Sequence, residues 1–192
     1  MEKLIKNLKF KRRRKALTNY AKRVNLVKSG LDRIVVRKTE RRIIGQIVRY
    51  HESGDVVLKS ADSRELAKYG WPARSNKPTA YLTGLLMAQK MKEKGKNYIL
   101  DIGLATPAAE SIPFVFAKGC IDGGLNVKAS LSIDEKRYNG LEIEEYAKRL
   151  KANKEAYERQ FGSYAKDKID VENLTKLFNE VKEKIKNGAI GK

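Results

Sequence analysis

Three short segments in the first third of the chain combine β-branched residues with polar connections. They cover residues 33–37, 43–50 and 56–61, and each connection is five residues long. Runs of this kind predict strands, and such short connections join antiparallel neighbours. Gly45 interrupts the second strand, which indicates either a β-bulge or a close approach to its backbone.

Helical spacing of apolar residues follows. Residues 79–94 predict a helix that ends at Gly95, and residues 112–123 predict a second one. Short apolar runs at 98–102 and near 125–128 predict a strand after each helix. Strands joined through helices form right-handed crossovers with parallel pairing. We therefore expect an α/β fold with a mixed sheet, in which an antiparallel three-strand meander is followed by β-α-β-α-β-type crossovers.

Both ends of the chain also have helical patterns. A short helix is predicted over residues 17–27, closed by Ser29 and Gly30. One amphipathic helix is expected from 141 to about 161, and a second from 171 to 186 with Asp170 as its N-cap. Their charged faces are either solvated or a protein-docking surface. The predicted organisation is a basic arm with a short helix (1–30), an α/β core (31–130) and a C-terminal helical extension (131–192).

Charge is distributed unevenly along this pattern. The chain has 42 Lys and Arg against 23 Asp and Glu, a net charge of +19. Residues 1–42 hold 16 basic and 3 acidic side chains, whereas residues 98–192 hold 16 and 15. A basic arm on a nearly neutral body indicates a polyanionic partner. Phe10 and Tyr20 are interleaved with the cations, a combination that suits unpaired RNA bases, although a solvated charge run or a localisation signal is the alternative.

Other classes of protein fit the sequence less well. No apolar run approaches the roughly 18 residues of a membrane span, and the basic N-terminus does not resemble a signal peptide. Cys120 is the only cysteine, so no internal disulfide forms and the residue is expected to be buried. We expect a cytoplasmic protein without a membrane partner.

Carboxylates offer the one enzymatic alternative. Asp62, Asp101 and Asp122 are candidates for the two-metal site of a nuclease with an RNase H-like fold, but the sequence does not bring them together. Residues 101–107 form a glycine-containing strand-to-helix turn without the further glycines and lysine of a nucleotide loop. We interpret this turn as structural or as touching the RNA backbone. No enzymatic activity, cofactor, metal or small-molecule substrate is expected.

Five sequence blocks then occur in a characteristic order. They are RRR at 12–14, RIVVRK at 33–38, AKYGW at 67–71, AYLTGLL at 80–86 and LDIGL at 100–104. Together they resemble the archaeal form of large-subunit ribosomal protein L eighteen, whose eukaryotic counterpart is called L five. The resemblance runs from the arm to about Gly124. The tail from Asp134 resembles the extra C-terminal helices of archaeal members more loosely.

This resemblance implies a structural role in the large ribosomal subunit. The family's α/β fold binds 5S rRNA and helps attach it to 23S rRNA in the central protuberance. The implied partners are these two RNAs and neighbouring large-subunit proteins, including the other 5S-binding protein. One departure concerns the turn at 38–42, where family members often have a polar Ser-Asn-Lys-type sequence. Here the contacts of that turn rest on Lys38, Arg41 and Arg42, because Glu40 would repel phosphate.

The predicted RNA-binding residues lie in the arm, the first turn and the loop at 60–77. Trp71 either stacks on a base or packs at the edge of the core. The full set is Lys9, Lys11, Arg12, Arg13, Arg14, Lys15, Tyr20, Arg23, Arg37, Lys38, Arg41, Arg42, Ser60, Arg64, Trp71, Arg74 and Lys77.

Overall fold

A five-stranded mixed sheet forms the centre of the molecule. The structure is a computed structural model, and it describes residues 11–91, 95–129 and 131–188. The strands are β1 (Asp32–Lys38), β2 (Ile43–Arg49), β3 (Val56–Asp62), β4 (Asn97–Asp101) and β5 (Asn126–Val127), arranged in the order β3-β2-β1-β4-β5. The first three pair antiparallel, whereas β4 is parallel to β1 and β5 is parallel to β4. The predicted α/β fold with a mixed sheet is confirmed.

Seven α-helices surround or extend this sheet in the described residues. They are α1 (Lys11–Arg14), α2 (Tyr20–Lys28), α3 (Lys77–Lys90), α4 (Ile112–Asp122), α5 (Leu141–Leu150), α6 (Lys154–Lys166) and α7 (Leu174–Lys186). Helix α3 connects β3 to β4, and α4 connects β4 to β5. None of the helices in the described part of the chain is long and apolar enough to cross a membrane.

One face of the sheet packs against α3 and α4. The buried side chains of Ile34 and Val36 alternate with Arg33, Val35 and Arg37, as the period of two in a strand requires. Gly45 accommodates a close approach, because an added Cβ would lie 2.2 Å from Cζ of Phe116 in α4. The irregularity of the sheet lies elsewhere, where the β2–β3 register shifts between Ile47 and Val48.

Helices α3 and α4 pack almost backbone to backbone. A Cβ added at Gly84 would lie 2.1 Å from the carbonyl oxygen of Phe116, and one added at Gly119 would lie 2.2 Å from that of Tyr81. Only glycine permits this separation. Cys120 is fully buried beside this contact, as expected, and burial raises the pKa of its thiol.

Several helix boundaries differ from the predicted ones; α2, for example, begins at Tyr20 and not at residue 17. Helix α3 ends at Lys90, because Met91 adopts an extended conformation and buries its side chain in the core. The predicted end at residue 94 is therefore wrong; residues 92–94 lie outside the described ranges. The single helix predicted from 141 to about 161 is two helices, since Asn153 accepts a hydrogen bond from the amide of Ala156 and caps α6.

The C-terminal helices share their core with the α/β sheet domain. Asp170 caps a short 3-10 turn at Val171–Asn173 that leads into α7, so the α-helix begins three residues later than predicted. Phe178 of α7 is fully buried. Its ring centroid lies 6.1 Å from that of Trp71 and 5.5 Å from that of Tyr81, which in turn stacks on Tyr138 at 4.5 Å. The apolar stripe of α7 thus packs on α3 and is not a free docking surface.

Burial of this aromatic cluster predicts an effect at alkaline pH. Desolvation, reinforced by the charge of Glu135, raises the pKa of Tyr138 to about 12. Desolvation and the hydrogen bond to Asp122 raise the pKa of Tyr81 even more than that of Tyr138. Unfolded tyrosines ionise near pH 10, so the stability that depends on these protonated phenols is present below pH 10 and is lost as the pH rises towards 12.

Absorbance titration of the tyrosinates, run beside denaturant unfolding at each pH, measures this effect. Tyr138→Phe keeps the ring and should remove the ionisation near pH 12. If the late-ionising fraction were unchanged in that variant, the assignment to Tyr138 would be incorrect.

Candidate RNA interface

The parallel strands β1 and β4 are neighbours in the interior of the sheet, and their carboxyl ends lie side by side. From β1 the chain turns back into β2 on one side, and from β4 it continues into α4 and β5 on the other. Neighbouring strands whose connections diverge leave a crevice beyond their carboxyl ends, where α/β sheets commonly bind ligands. In this protein Arg37 and the loop at 102–107 line that crevice.

Arg37 is held in a defined orientation at the mouth of the crevice. Its Nη1 donates to the carbonyl oxygens of Val36, at 2.8 Å, and Asp101, at 3.1 Å. Its Nη2 lies 3.5 Å from Oδ1 of Asp101, yet 47% of the side chain is exposed. Gly103 has a φ of +63°, and a Cβ there would lie 2.9 Å from the guanidinium carbon. The result is an accessible, preorganised guanidinium, of the kind that binds phosphate, whose charge is partly balanced by Asp101.

A second arginine of β1, Arg33, connects α2 to the sheet through carboxylates. Arg33 is 2% exposed and donates to Oδ2 of Asp101 at 3.0 Å and to Oδ2 of Asp55 at 2.5 Å. The same Asp55 oxygen accepts from Arg23 of α2 at 2.8 Å. Asp55 therefore fixes α2 over the sheet. Sequence reasoning missed this network, although an arginine within a β-branched strand is a signal that a buried carboxylate lies nearby.

Two clefts open on either side of the loop at 102–107. The arm cleft, about 650 Å³, lies between α2 and β4. The loop cleft, about 480 Å³, lies between the end of β1, the loop and the start of α4. Arg37 lines both. The arm cleft is also lined by Lys22, Asn19 and Asn25, which were not among the predicted site residues.

The predicted arm cations are accessible. Helix α1 has no buried residue, and a single turn of this kind is marginally stable in water. Its Arg12 donates from Nε to the Thr18 hydroxyl at 2.6 Å, which brings this side chain to the arm cleft. Tyr20 is 40% exposed. The other described arm cations, Lys11, Arg13, Arg14 and Lys15, are exposed, and Lys9 lies outside the described residues.

The cations of the turn at 38–42 follow the carboxyl end of β1, beside the loop cleft. Lys38 lines the loop cleft and Arg41 is exposed. Arg42 lies 3.3 Å from Asp62 and is therefore partly neutralised. Ser60 and Arg64 are exposed near the β3 edge, where Lys90 donates to the carbonyl oxygen of Ser60. Arg12, Arg23 and Arg37 all line the arm cleft, whereas Ser60 and Arg64 line neither the arm cleft nor the loop cleft.

Three predicted residues from the loop at 60–77 have structural partners. Trp71 is 1% exposed and donates from its indole nitrogen to Thr79 at 2.8 Å, so it is the packed core residue and is not available to stack on a base. The guanidinium of Arg74 lies 4.7 Å from the Tyr164 ring centroid and pairs with Asp167. Lys77 lies 3.7 Å from Glu142. Arg74 and Lys77 thus connect the core to the C-terminal helices.

The three candidate metal-binding carboxylates have separate roles. Asp62 caps the 3-10 turn at Ser63–Tyr69, and Asp101 pairs with Arg33. Asp122 accepts from the Tyr81 hydroxyl and from Lys118. Among the described residues no group of three or more His, Cys, Asp or Glu side chains could hold a metal ion. The nuclease alternative therefore gains no support from this geometry.

The α/β fold combines a basic crevice at the carboxyl ends of β1 and β4 with an adjoining basic arm, an arrangement typical of α/β proteins that bind nucleic acid. Comparison with protein families is consistent with this class, since a family model described as "Ribosomal large subunit proteins 60S L5, and 50S L18" matches residues 6–98. Residues 6–98 thus match a family of large-subunit ribosomal proteins, and this match supports an rRNA-binding role in the large ribosomal subunit. The match extends from the arm into β4, and it ends before the predicted limit at Gly124.

Proposed function

We propose that this protein binds 5S rRNA and helps attach it to 23S rRNA in the central protuberance, as a structural and non-enzymatic component of cytoplasmic ribosomes. One observation carries the proposal. The cations of the arm, of α2 and of β1 converge on the crevice between β1 and β4, where Arg12, Arg23 and Arg37 line one cleft. An extended basic surface continuous with a preorganised arginine suits a folded RNA with unpaired segments.

The remaining predicted contacts are part of the same proposal. Lys38, Arg41 and the exposed arm residues meet phosphates beside the crevice, whereas Ser60 and Arg64 contact a more distant part of the RNA. The C-terminal helices carry nearly balanced charge. The partners of the protein in this proposal include neighbouring large-subunit proteins, among them the other 5S-binding protein. No cofactor, membrane or small-molecule substrate has a part in this function.

Crosslinking in native ribosomes, followed by identification of the attached RNA, tests the proposal. We expect residues 11–26 and 37–42 to crosslink mainly to 5S rRNA, with a minority of crosslinks to 23S rRNA. Crosslinks of these residues to 23S rRNA alone would contradict the assignment of 5S rRNA as the principal partner.

Removal of residues 1–16 is expected to weaken 5S rRNA binding by about tenfold to a hundredfold. The deletion removes eight Lys and Arg side chains, and each phosphate contact that they make contributes counterion release. Thermal unfolding should remain unchanged, because none of the residues of α1 is buried. A matched variant with Gln at positions 11–15 keeps the length of the arm and should lose affinity in the same direction. Collapse of the fold on deletion would show that the arm is a structural element.

A further inference from the structure

The lining of the arm cleft combines three kinds of side chain. Leu17, Leu26, Ile99 and Leu104 supply apolar walls, and Arg12 and Arg37 are among the cations that line the cleft. Asn25 of α2 and Asn19, whose Oδ1 also caps that helix, supply side-chain amides. Its volume of about 650 Å³ falls within the roughly 300–1,000 Å³ of small-ligand sites. A surface that only follows a phosphate backbone needs cations but no apolar recess.

The chemistry of this lining matches a nucleotide. A base is flat and apolar on its faces and carries hydrogen-bonding groups along its edge, which side-chain amides can read. A phosphate group binds to guanidinium N–H groups. The Nη1 of Arg37 already donates to the carbonyl oxygens of Val36 and Asp101, so a phosphate would meet its Nε and Nη2 groups, beside the Asp101 carboxylate. Because Arg37 lines both clefts, a phosphate bound there would connect nucleotides on either side of the loop at 102–107.

We propose that the arm cleft receives the base of one unpaired nucleotide of the bound RNA, with the adjoining phosphate on Arg37. This inference rests on the proposed binding of 5S rRNA and specifies how one of its nucleotides is recognised. An unpaired nucleotide enters such a recess at little cost, because no base pair has to open.

The cleft is formed before RNA arrives. Nη2 of Arg23 in α2 donates to Oδ2 of Asp55 at 2.8 Å, and Arg33 of β1 donates to the same oxygen. These ion pairs hold α2, which forms one wall of the cleft, against the sheet, which forms the other. A preformed recess avoids the entropic cost of ordering α2 on binding. Asp55 is thus a positioning residue for the cleft.

Filling the cleft tests the proposal. Leu26→Trp places a large ring inside the cleft, whereas Val24→Trp makes the same kind of change at a 49% exposed position of the same helix that does not line the cleft. Neither variant alters charge. We expect Leu26→Trp to weaken binding to a 5S rRNA transcript about tenfold, the scale of one lost base contact, with an unchanged salt dependence, and Val24→Trp to bind within about twofold of the unmodified protein.

Equal affinity of both variants and the unmodified protein, or equal loss in both variants, would overturn the nucleotide cleft while leaving 5S rRNA binding intact. Failure of the unmodified protein to bind the transcript would instead overturn the proposed function. A second measurement does not depend on folding of the variants. A transcript containing 4-thiouridine, photocrosslinked to the full chain, should attach to residues 19–26 or 99–107 from one unpaired position, and crosslinks spread over many positions would exclude a defined nucleotide.

Discussion

Raising the salt concentration from 50 to 200 mM is expected to weaken 5S rRNA binding by roughly three to five decades, if the arm, the turn at 38–42 and the crevice neutralise about six to ten phosphates. The physical reason is counterion release, which scales with the number of phosphates neutralised. Residues 1–42 carry a net charge of +13, and the described arm cations other than Arg23 are exposed, so the required number of contacts is available. Segments that contact single-stranded RNA contribute a smaller slope, about 0.7 for each phosphate.

Equilibrium binding measured across this salt range determines the slope. The variant with Gln at positions 11–15 loses five cations and should give a shallower slope. Leu26→Trp should lower the affinity by the same factor at every salt concentration and leave the slope unchanged. A flat salt profile for the unmodified protein would contradict an electrostatic interface.

Phe178→Ala is expected to lower the free energy of unfolding by about 3–5 kcal/mol. Phe178 is fully buried between Trp71, Tyr81 and Tyr138, so truncation leaves a cavity at the junction of α7 with the α/β core. Because Trp71 is the only tryptophan and its ring lies 6.1 Å from that of Phe178, its fluorescence reports directly on this junction.

Denaturant unfolding followed by this fluorescence and by circular dichroism should give one coincident transition in the unmodified protein and in the variant. The comparison is Tyr146→Ala, which removes an aromatic ring from a 47% exposed position on α5 and should cost less than about 1 kcal/mol. Two separate transitions in the unmodified protein would mean that the C-terminal helices unfold as an independent unit.

The sequence by itself determined the order and type of most elements. Strands β1 to β3 combine β-branched residues with short polar connections, and these features are local in the sequence. Helices α3 and α4 were predicted from apolar spacing, and α2 from the same signal. The unequal distribution of charge and the five sequence blocks were sufficient to indicate an rRNA-binding ribosomal protein, since composition and motif order do not depend on how the chain packs.

Tertiary structure decided which of the candidate residues meet. Trp71 and Arg74 looked like RNA contacts in the sequence, but they pack against Phe178 and Tyr164, more than 80 residues away along the chain. The network of Arg33, Asp55 and Asp101 was equally hidden, because its members come from β1, the β2–β3 connection and β4. The crevice itself exists only because β4 pairs in parallel beside β1. Periodicity along a chain reports which face of an element is apolar, whereas such long-range contacts depend on the pairing of strands and the packing of helices, which local patterns do not encode.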